Sequence, residues 1–218
     1  SPVLSVKIVH VGTSAATGWL NIMIPGILAF SVLSAGLFAV SGHITAMKER
    51  KILDRMVVTP MHPLALLAAI ICIRLVVIYL SSLITLFTGL LIFDVTFTID
   101  WTYYSIFIVC ATLGTMGLGT IIALLVKRPS SASNIANVLA MVMMFLSGIY
   151  FPIEFMPAFL RAVSKALPLT YMAEALRFTT GVVEMSLSRF WGITAALLAL
   201  ALVLLPLLAR YVVRADRG

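Results

Sequence analysis

The amino-acid sequence predicts an all-α integral membrane protein with five transmembrane helices and two short helices at the outer surface, and three observations lead there. Hydrophobic residues fill 62% of the 218 positions and charged residues only 11%, against roughly 25% charged in soluble domains; the mean hydropathy is +1.15. Charge-free runs cover residues 8–47, 75–93, 101–126, 129–153 and 190–209, each at or above the ~18 residues that suggest a spanning helix. The Lys and Arg are also placed asymmetrically. Lys48, Arg50, Lys51, Arg55, Lys127, Arg128, Arg210, Arg214 and Arg217 fall on one side of the spans, while Lys7, Arg161, Lys165, Arg177 and Arg189 fall on the other. The positive-inside rule makes the first side cytoplasmic, so the C-terminus is expected inside the cell and residue 1 outside. A net charge of +7 therefore serves orientation, and nucleic acid is not expected as a partner.

That orientation carries a further expectation. The chain starts at Ser1 with no initiator Met and nothing resembling a signal peptide, so a sixth, N-terminal span with a cytoplasmic start is expected to be missing from this sequence. Residues 1–20 read as an outer lead-in. The first span is placed at 21–42, with Pro25 and Gly26 in its first turns, where a missing amide costs little. Ser31, Ser34, Ala35 and Gly36 offer it a small-residue surface for close helix packing. Residues 43–63 read as a cytoplasmic loop holding the densest charge in the chain, six charged residues between Lys48 and Arg55.

The second span is placed at 75–93 because of Arg74. An arginine at the bilayer centre costs at least ~2.5 to 3.5 kcal/mol on insertion scales. Starting the span after it lets the side chain snorkel to the headgroups, with Leu64 to Ile73 a helical extension low in the interface. Asp94 to Asp100 reads as a short outer turn. Trp101, Tyr103 and Tyr104 form an aromatic belt that opens the third span, 103–126; its Gly114, Gly117 and Gly119 serve either a hinge or close packing. Lys127-Arg128-Pro129 closes that span, and 134–151 forms the fourth, with a flexible run of Met141, Met143 and Met144.

Residues 152–187 are too polar to cross a bilayer and too apolar to float free of it. Pro157 and Pro168 divide them into two short helices, since proline is welcome in a first turn and unwelcome in an interior. In the first helix Phe159, Leu160, Val163 and Leu167 share one face and Arg161 and Lys165 another, the pattern of an interfacial or re-entrant helix. In the second, Glu174 and Arg177 read as an i, i+3 pair and Gly181 as its cap. The last span is 190–209, with Pro206 near its end.

Catalytic machinery is not apparent. There is no GxxxxGK[ST], HExxH or GxSxG, so the chain is expected to be no enzyme, to bind no cofactor and to leave any ATP to another polypeptide. Cys72 and Cys110 lie in different spans, and His10, His43 and His62 are far apart in sequence, a poor metal set.

The runs Phe145-Leu146-Ser147-Gly148-Ile149-Tyr150-Phe151-Pro152, Met156-Pro157, Leu167-Pro168-Leu169-Thr170-Tyr171 and Glu174-Ala175-Leu176-Arg177 strongly resemble the C-terminal signature of ABC-2 type transporter permeases. Lys48-Glu49-Arg50-Lys51 through Val58-Thr59-Pro60 looks like that family's first intracellular loop, although Lys51 and Met56 stand where many relatives have Gly and Leu. The family pattern is six spans, so the first is the one missing here. The resemblance implies a multi-pass plasma-membrane permease, prokaryotic, homodimeric and embedded in lipid. It would be coupled to a separate ABC ATPase subunit that holds ATP and Mg. Glu49, Arg50, Asp54, Arg55, Thr59 and Pro60 match the ATPase-coupling segment. Pro152, Met156, Pro157, Pro168, Tyr171, Glu174 and Arg177 match the outer re-entrant gate. The implied function is export of a hydrophobic or amphipathic drug-like or antibiotic-like molecule; export of polysaccharide, teichoic acid or lipid-linked glycan is the alternative, and a channel or membrane-embedded enzyme fits less well.

Overall fold

The computed structural model describes residues 11–49, 63–93, 97–126, 128–150 and 156–215, and among them every regular element is helical. In chain order these are α1 (Val11–Glu49), α2 (Pro63–Phe93), α3 (Trp101–Leu125), α4 (Pro129–Leu146), α5 (Ala158–Ala166), α6 (Pro168–Thr179) and α7 (Leu187–Ala215). Five are long and apolar enough to cross a membrane, over Leu20–Glu49, Ala68–Ile92, Trp101–Leu125, Pro129–Leu146 and Leu187–Leu207. α5 and α6, of 9 and 12 residues, are shorter than the ~17 residues a span needs.

Helix ends follow local chemistry more closely than hydropathy did. α1 has no break at residue 20 or Gly42, so half of the presumed lead-in and the start of the presumed loop are helical, and Pro25 stands in the helix interior. α2 runs unbroken from Pro63 through Arg74, so the helical extension expected before the second span is continuous with it. α3 opens where the Asp100 carboxylate accepts the amides of Thr102 and Tyr103 at 3.1 and 3.3 Å, satisfying two of the amides that a helix start leaves free. α3 ends at Leu125, just before Lys127-Arg128-Pro129, and Pro129 also opens the first turn of α4, five residues before the expected fourth span. α4 stops at Leu146 because Gly148 takes φ +76°, a left-handed conformation suited to glycine. α7 starts three residues before the expected span and continues past Arg210.

The bundle is built around α3, which packs chiefly between α1 and α7. Glycine makes this possible. A Cβ on Gly119 would lie 2.7 Å from the Leu37 carbonyl oxygen of α1, and one on Gly114 would lie 2.8 Å from the Leu197 carbonyl oxygen of α7. The α3 glycines therefore work in packing, letting the backbones of both neighbours come close, as van der Waals association in lipid requires. Tyr104, Phe107 and Phe190 are fully buried here with Leu28, Leu33 and Leu37. α2 lies at the periphery, with Ile84 67% and Leu91 81% exposed, a surface suited to lipid tails.

One end of the bundle gathers α5, α6, the starts of α3 and α7 and the residues around Ile22 and Gly148; it is called the hairpin side. The opposite end, where α1 finishes at Glu49, is the loop side.

Candidate functional site

The hairpin side is assembled from α5 and α6. Pro157 caps the start of α5 and Pro168 occupies the first turn of α6, positions where the absent amide is no loss. The corner between them is fixed by the residues after Pro168. The last carbonyls of a helix have no partner within it; here the Thr170 hydroxyl donates to the Ser164 carbonyl at 2.7 Å and the Tyr171 hydroxyl to the Lys165 carbonyl at 2.6 Å. A Pro-Leu-Thr-Tyr run thus starts one helix and ties off the previous one. Of the apolar residues assigned to one face of α5, Leu160, Val163 and Leu167 are half-buried. Phe159 is not, at 73% exposed.

At its other end α6 finishes in a paired-bond cap: the Val182 amide bonds the Arg177 carbonyl at 2.8 Å and the Gly181 amide bonds that of Phe178 at 3.0 Å. This is the Schellman arrangement, which needs a left-handed residue after the helix, and Gly181 supplies it with φ +73°. Thr98 packs so closely here that a Cβ on Gly181 would overlap its side chain. The Asp100 amide bonds the Thr179 carbonyl at 3.0 Å, locking the α2–α3 connection to the hairpin. Phe178 stacks toward Phe190 with ring centroids 5.3 Å apart, and Tyr103 approaches Phe190 at 5.4 Å.

Glu174 and Arg177 do not pair as their spacing suggested. Glu174 receives Arg189 at the head of α7 at 2.9 Å. Arg177 turns the other way: its Nε donates to the Ile22 carbonyl at 3.1 Å and its Nη2 to the Gly148 carbonyl at 3.3 Å. Three residues before Pro25, which has no amide to give to the Asn21 carbonyl, the Ile22 carbonyl accepts from a guanidinium whose planar fork reaches two carbonyls at once. Burial lowers the pKa of Arg177 from its ordinary value and the nearby Glu174 carboxylate opposes that shift; the side chain stays charged. One residue of α6 thereby holds the start of the α1 span and the end of α4.

A cavity of about 530 Å³ opens between the start of α6 and α7, lined by Pro168, Tyr171, Arg189, Gly192, Ala196 and Leu200 among others. Its walls are apolar and its polar groups, Arg189 and Tyr171, belong to the hairpin contacts just described.

On the loop side, the Lys48 ammonium donates to the Ala123 carbonyl at 2.6 Å, one of the free acceptors at the end of α3 and the negative pole of its dipole. Glu49 is exposed as the last residue of α1. Arg50, Asp54, Arg55, Thr59 and Pro60, and Pro152 of the hairpin signature, lie outside the described residues. Of the remaining signature residues, Pro157, Pro168, Tyr171, Glu174 and Arg177 come together in or beside the hairpin. Half-buried Met156 contributes its carbonyl, which accepts Arg161 Nη2 at 3.3 Å. Gly148 and Thr170 stood in the runs quoted for the resemblance but were given no role, and Ile22, Ser164 and Arg189 were given none either. Ile22, Gly148 and Ser164 act through backbone carbonyls, and Arg189 lies 15 positions from its ion-pair mate.

The model describing the ABC-2 type transporter family matches residues 5–180, which takes in α1 to α6. No curated protein matches the chain.

Proposed function

The chain belongs to the ABC-2 type transporter family, and on that premise we propose that it is the permease subunit of an ATP-driven exporter that moves a hydrophobic or amphipathic small molecule out of the cytoplasm or the inner leaflet. ATP and Mg belong to a separate ATPase subunit, which acts on the loop side from the cytoplasm; the C-terminus is cytoplasmic and two permease copies form the membrane unit.

The observation that carries this proposal is the continuity of α1. It runs without interruption from the Arg177 contact at Ile22 to the exposed Glu49, a distance of about 40 Å at 1.5 Å per residue. A push delivered beside Glu49 reaches the hairpin through one helix. At the receiving end, Arg177 couples that helix to α6 and to the end of α4, so a tilt of α1 moves the hairpin relative to α7, to which it is held by the Glu174 and Arg189 pair. The machine needs no titratable group in its spans, because the energy enters from the partner as a displacement. A small cargo is supported by the apolar cavity between α6 and α7, whose volume falls within the ~300 to 1,000 Å³ of ligand sites.

The test combines Glu49→Ala and Asp54→Ala with three readouts: co-purification of the ATPase subunit, substrate-stimulated hydrolysis and transport. Truncating one partner of a desolvated interfacial charge pair costs about 2 to 5 kcal/mol, so association weakens or hydrolysis runs without transport while the membrane fold persists. Parental values in all three measurements for both variants would dismiss this segment as the point where force enters.

A further inference from the structure

Arg74 is a cation near the loop-side end of an apolar helix. It belongs to the apolar stretch Ala68–Ile92 of α2, and among the described residues it has no hydrogen-bond or ion-pair partner. No Asp or Glu occurs in α2, nor in α1 before Glu49, so its charge is uncompensated by its own element and by the neighbour that faces it. A guanidinium at the edge of an apolar span reaches toward the headgroups, where an anionic group can meet it.

Its surroundings define that partner. A cavity of about 250 Å³ lies between α1 and α2, lined by Ser31, Ala35, Phe38, Arg74, Val77 and Ser81 among others. Two counts fix its depth. Arg74 precedes Phe93 by 19 residues, about 28 Å of helix, and Phe38 follows Leu20 by 18 residues, about 27 Å. With a hydrocarbon core of ~30 Å, both place the charged end at the loop-side boundary, the level of lipid phosphates. From there the cleft rises about 10 Å along α2 to Ser81. Small side chains, Ser31, Ala35, Ser81 and Ser82, leave room along this rise. The flank of α2 beside the cleft is apolar and open, with Ile73 63%, Val76 59% and Ile84 67% exposed, so a molecule arriving sideways comes through lipid.

We propose that this cleft binds one anionic phospholipid of the loop-side leaflet, its phosphate oxygens accepting hydrogen bonds from the Arg74 guanidinium and the upper part of one acyl chain lying between α1 and α2. A planar guanidinium matches a phosphate in two-point contact, and a cation with no acidic partner among the described residues favours a lipid with net negative charge over a zwitterionic one. The volume is below the ~300 Å³ at which pockets accept a drug-sized ligand and suits a chain segment. Because α1 and α2 flank the charged loop, a lipid seated there also sets how far apart those two helices stand.

Native mass spectrometry of the purified protein, titrated with phosphatidylglycerol or phosphatidylcholine, tests the site without requiring transport or the ATPase, so its outcome is separate from that of the exporter proposal. One phosphatidylglycerol is expected to be retained per chain, at least about tenfold more tightly than phosphatidylcholine, a tenfold change being 1.4 kcal/mol. Arg74→Gln removes that preference, and Arg74→Lys keeps a part of it. The paired variant Ala35→Leu with Ser81→Leu fills the cleft while leaving the charge in place, and it too loses the bound lipid. If Arg74→Gln does not fold, the filled-cleft variant carries the test alone. Unchanged retention in the filled-cleft variant would make Arg74 a nonspecific interfacial anchor and overturn the proposal. Displacement of the lipid by millimolar inorganic phosphate would overturn it as well, by assigning the site to a dissolved anion.

Discussion

Arg177→Met removes the two hydrogen bonds that join the hairpin to α1 and α4. At 3.1 and 3.3 Å they stand at and just beyond the long edge of the N–H···O range. A hydrogen bond to a charged group nets about 1.5 to 3 kcal/mol, so two at the weak end give about 3 kcal/mol. Arg177→Lys keeps the charge, but an ammonium cannot bridge two carbonyls as a guanidinium does, and about half is lost, ~1.5 kcal/mol. For a chain of this size 1 kcal/mol corresponds to about 2 to 4 °C, which predicts a fall in melting temperature of roughly 6 to 12 °C for Met and half that for Lys. Thermal unfolding in detergent measures the ranking, and amide hydrogen exchange locates the loss. Faster exchange is expected in α1 around residues 20–26, beside the Ile22 contact, with α3 unchanged. A Met variant that melts with the parent, or a Lys variant indistinguishable from it in both measurements, would refute the idea that the two-carbonyl contact holds the hairpin.

The packing of α3 predicts that Gly119→Ala, whose Cβ meets the Leu37 carbonyl at 2.7 Å, loses about 1 to 3 kcal/mol as overpacked sites do. Gly192→Ala in α7, with nothing within 4 Å, gains up to about 1 kcal/mol from helix propensity; melting temperatures that fail to diverge in this direction would count against the close α1–α3 approach. The proposed orientation predicts that a membrane-impermeant thiol reagent applied to intact cells labels Ser186→Cys and spares Ser130→Cys, both positions being exposed. Labelling of Ser130→Cys would reverse the assignment of the loop side to the cytoplasm.

The class of fold was legible because a bilayer demands long apolar helices, and charge-free runs report that demand directly. Their limits were less so, since hydropathy marks what lipid covers and helix ends answer to capping. Asp100, Pro129 and Gly148 moved three boundaries by a few residues each. The two short helices of the hairpin followed from Pro157 and Pro168, whose effect is local. The contacts that make the hairpin one unit with the bundle did not follow, because Arg177 binds backbone carbonyls, which every residue has and no sequence advertises. A short-range rule paired Glu174 with Arg177, a surface contact worth only a few tenths of a kcal/mol. The carbonyls of Ile22 and Gly148 offered Arg177 two bonds, and Arg189 gave Glu174 another partner.

The contact between Arg177 and Ile22 spans 155 positions, and this has a consequence in time. At 5 to 20 residues per second, the ribosome adds Arg177 about 8 to 30 s after Ile22. Throughout that interval the Ile22 carbonyl is without its Arg177 partner. The first described helix is therefore among the last to be tied in, and a chain halted before the hairpin leaves that contact unmade.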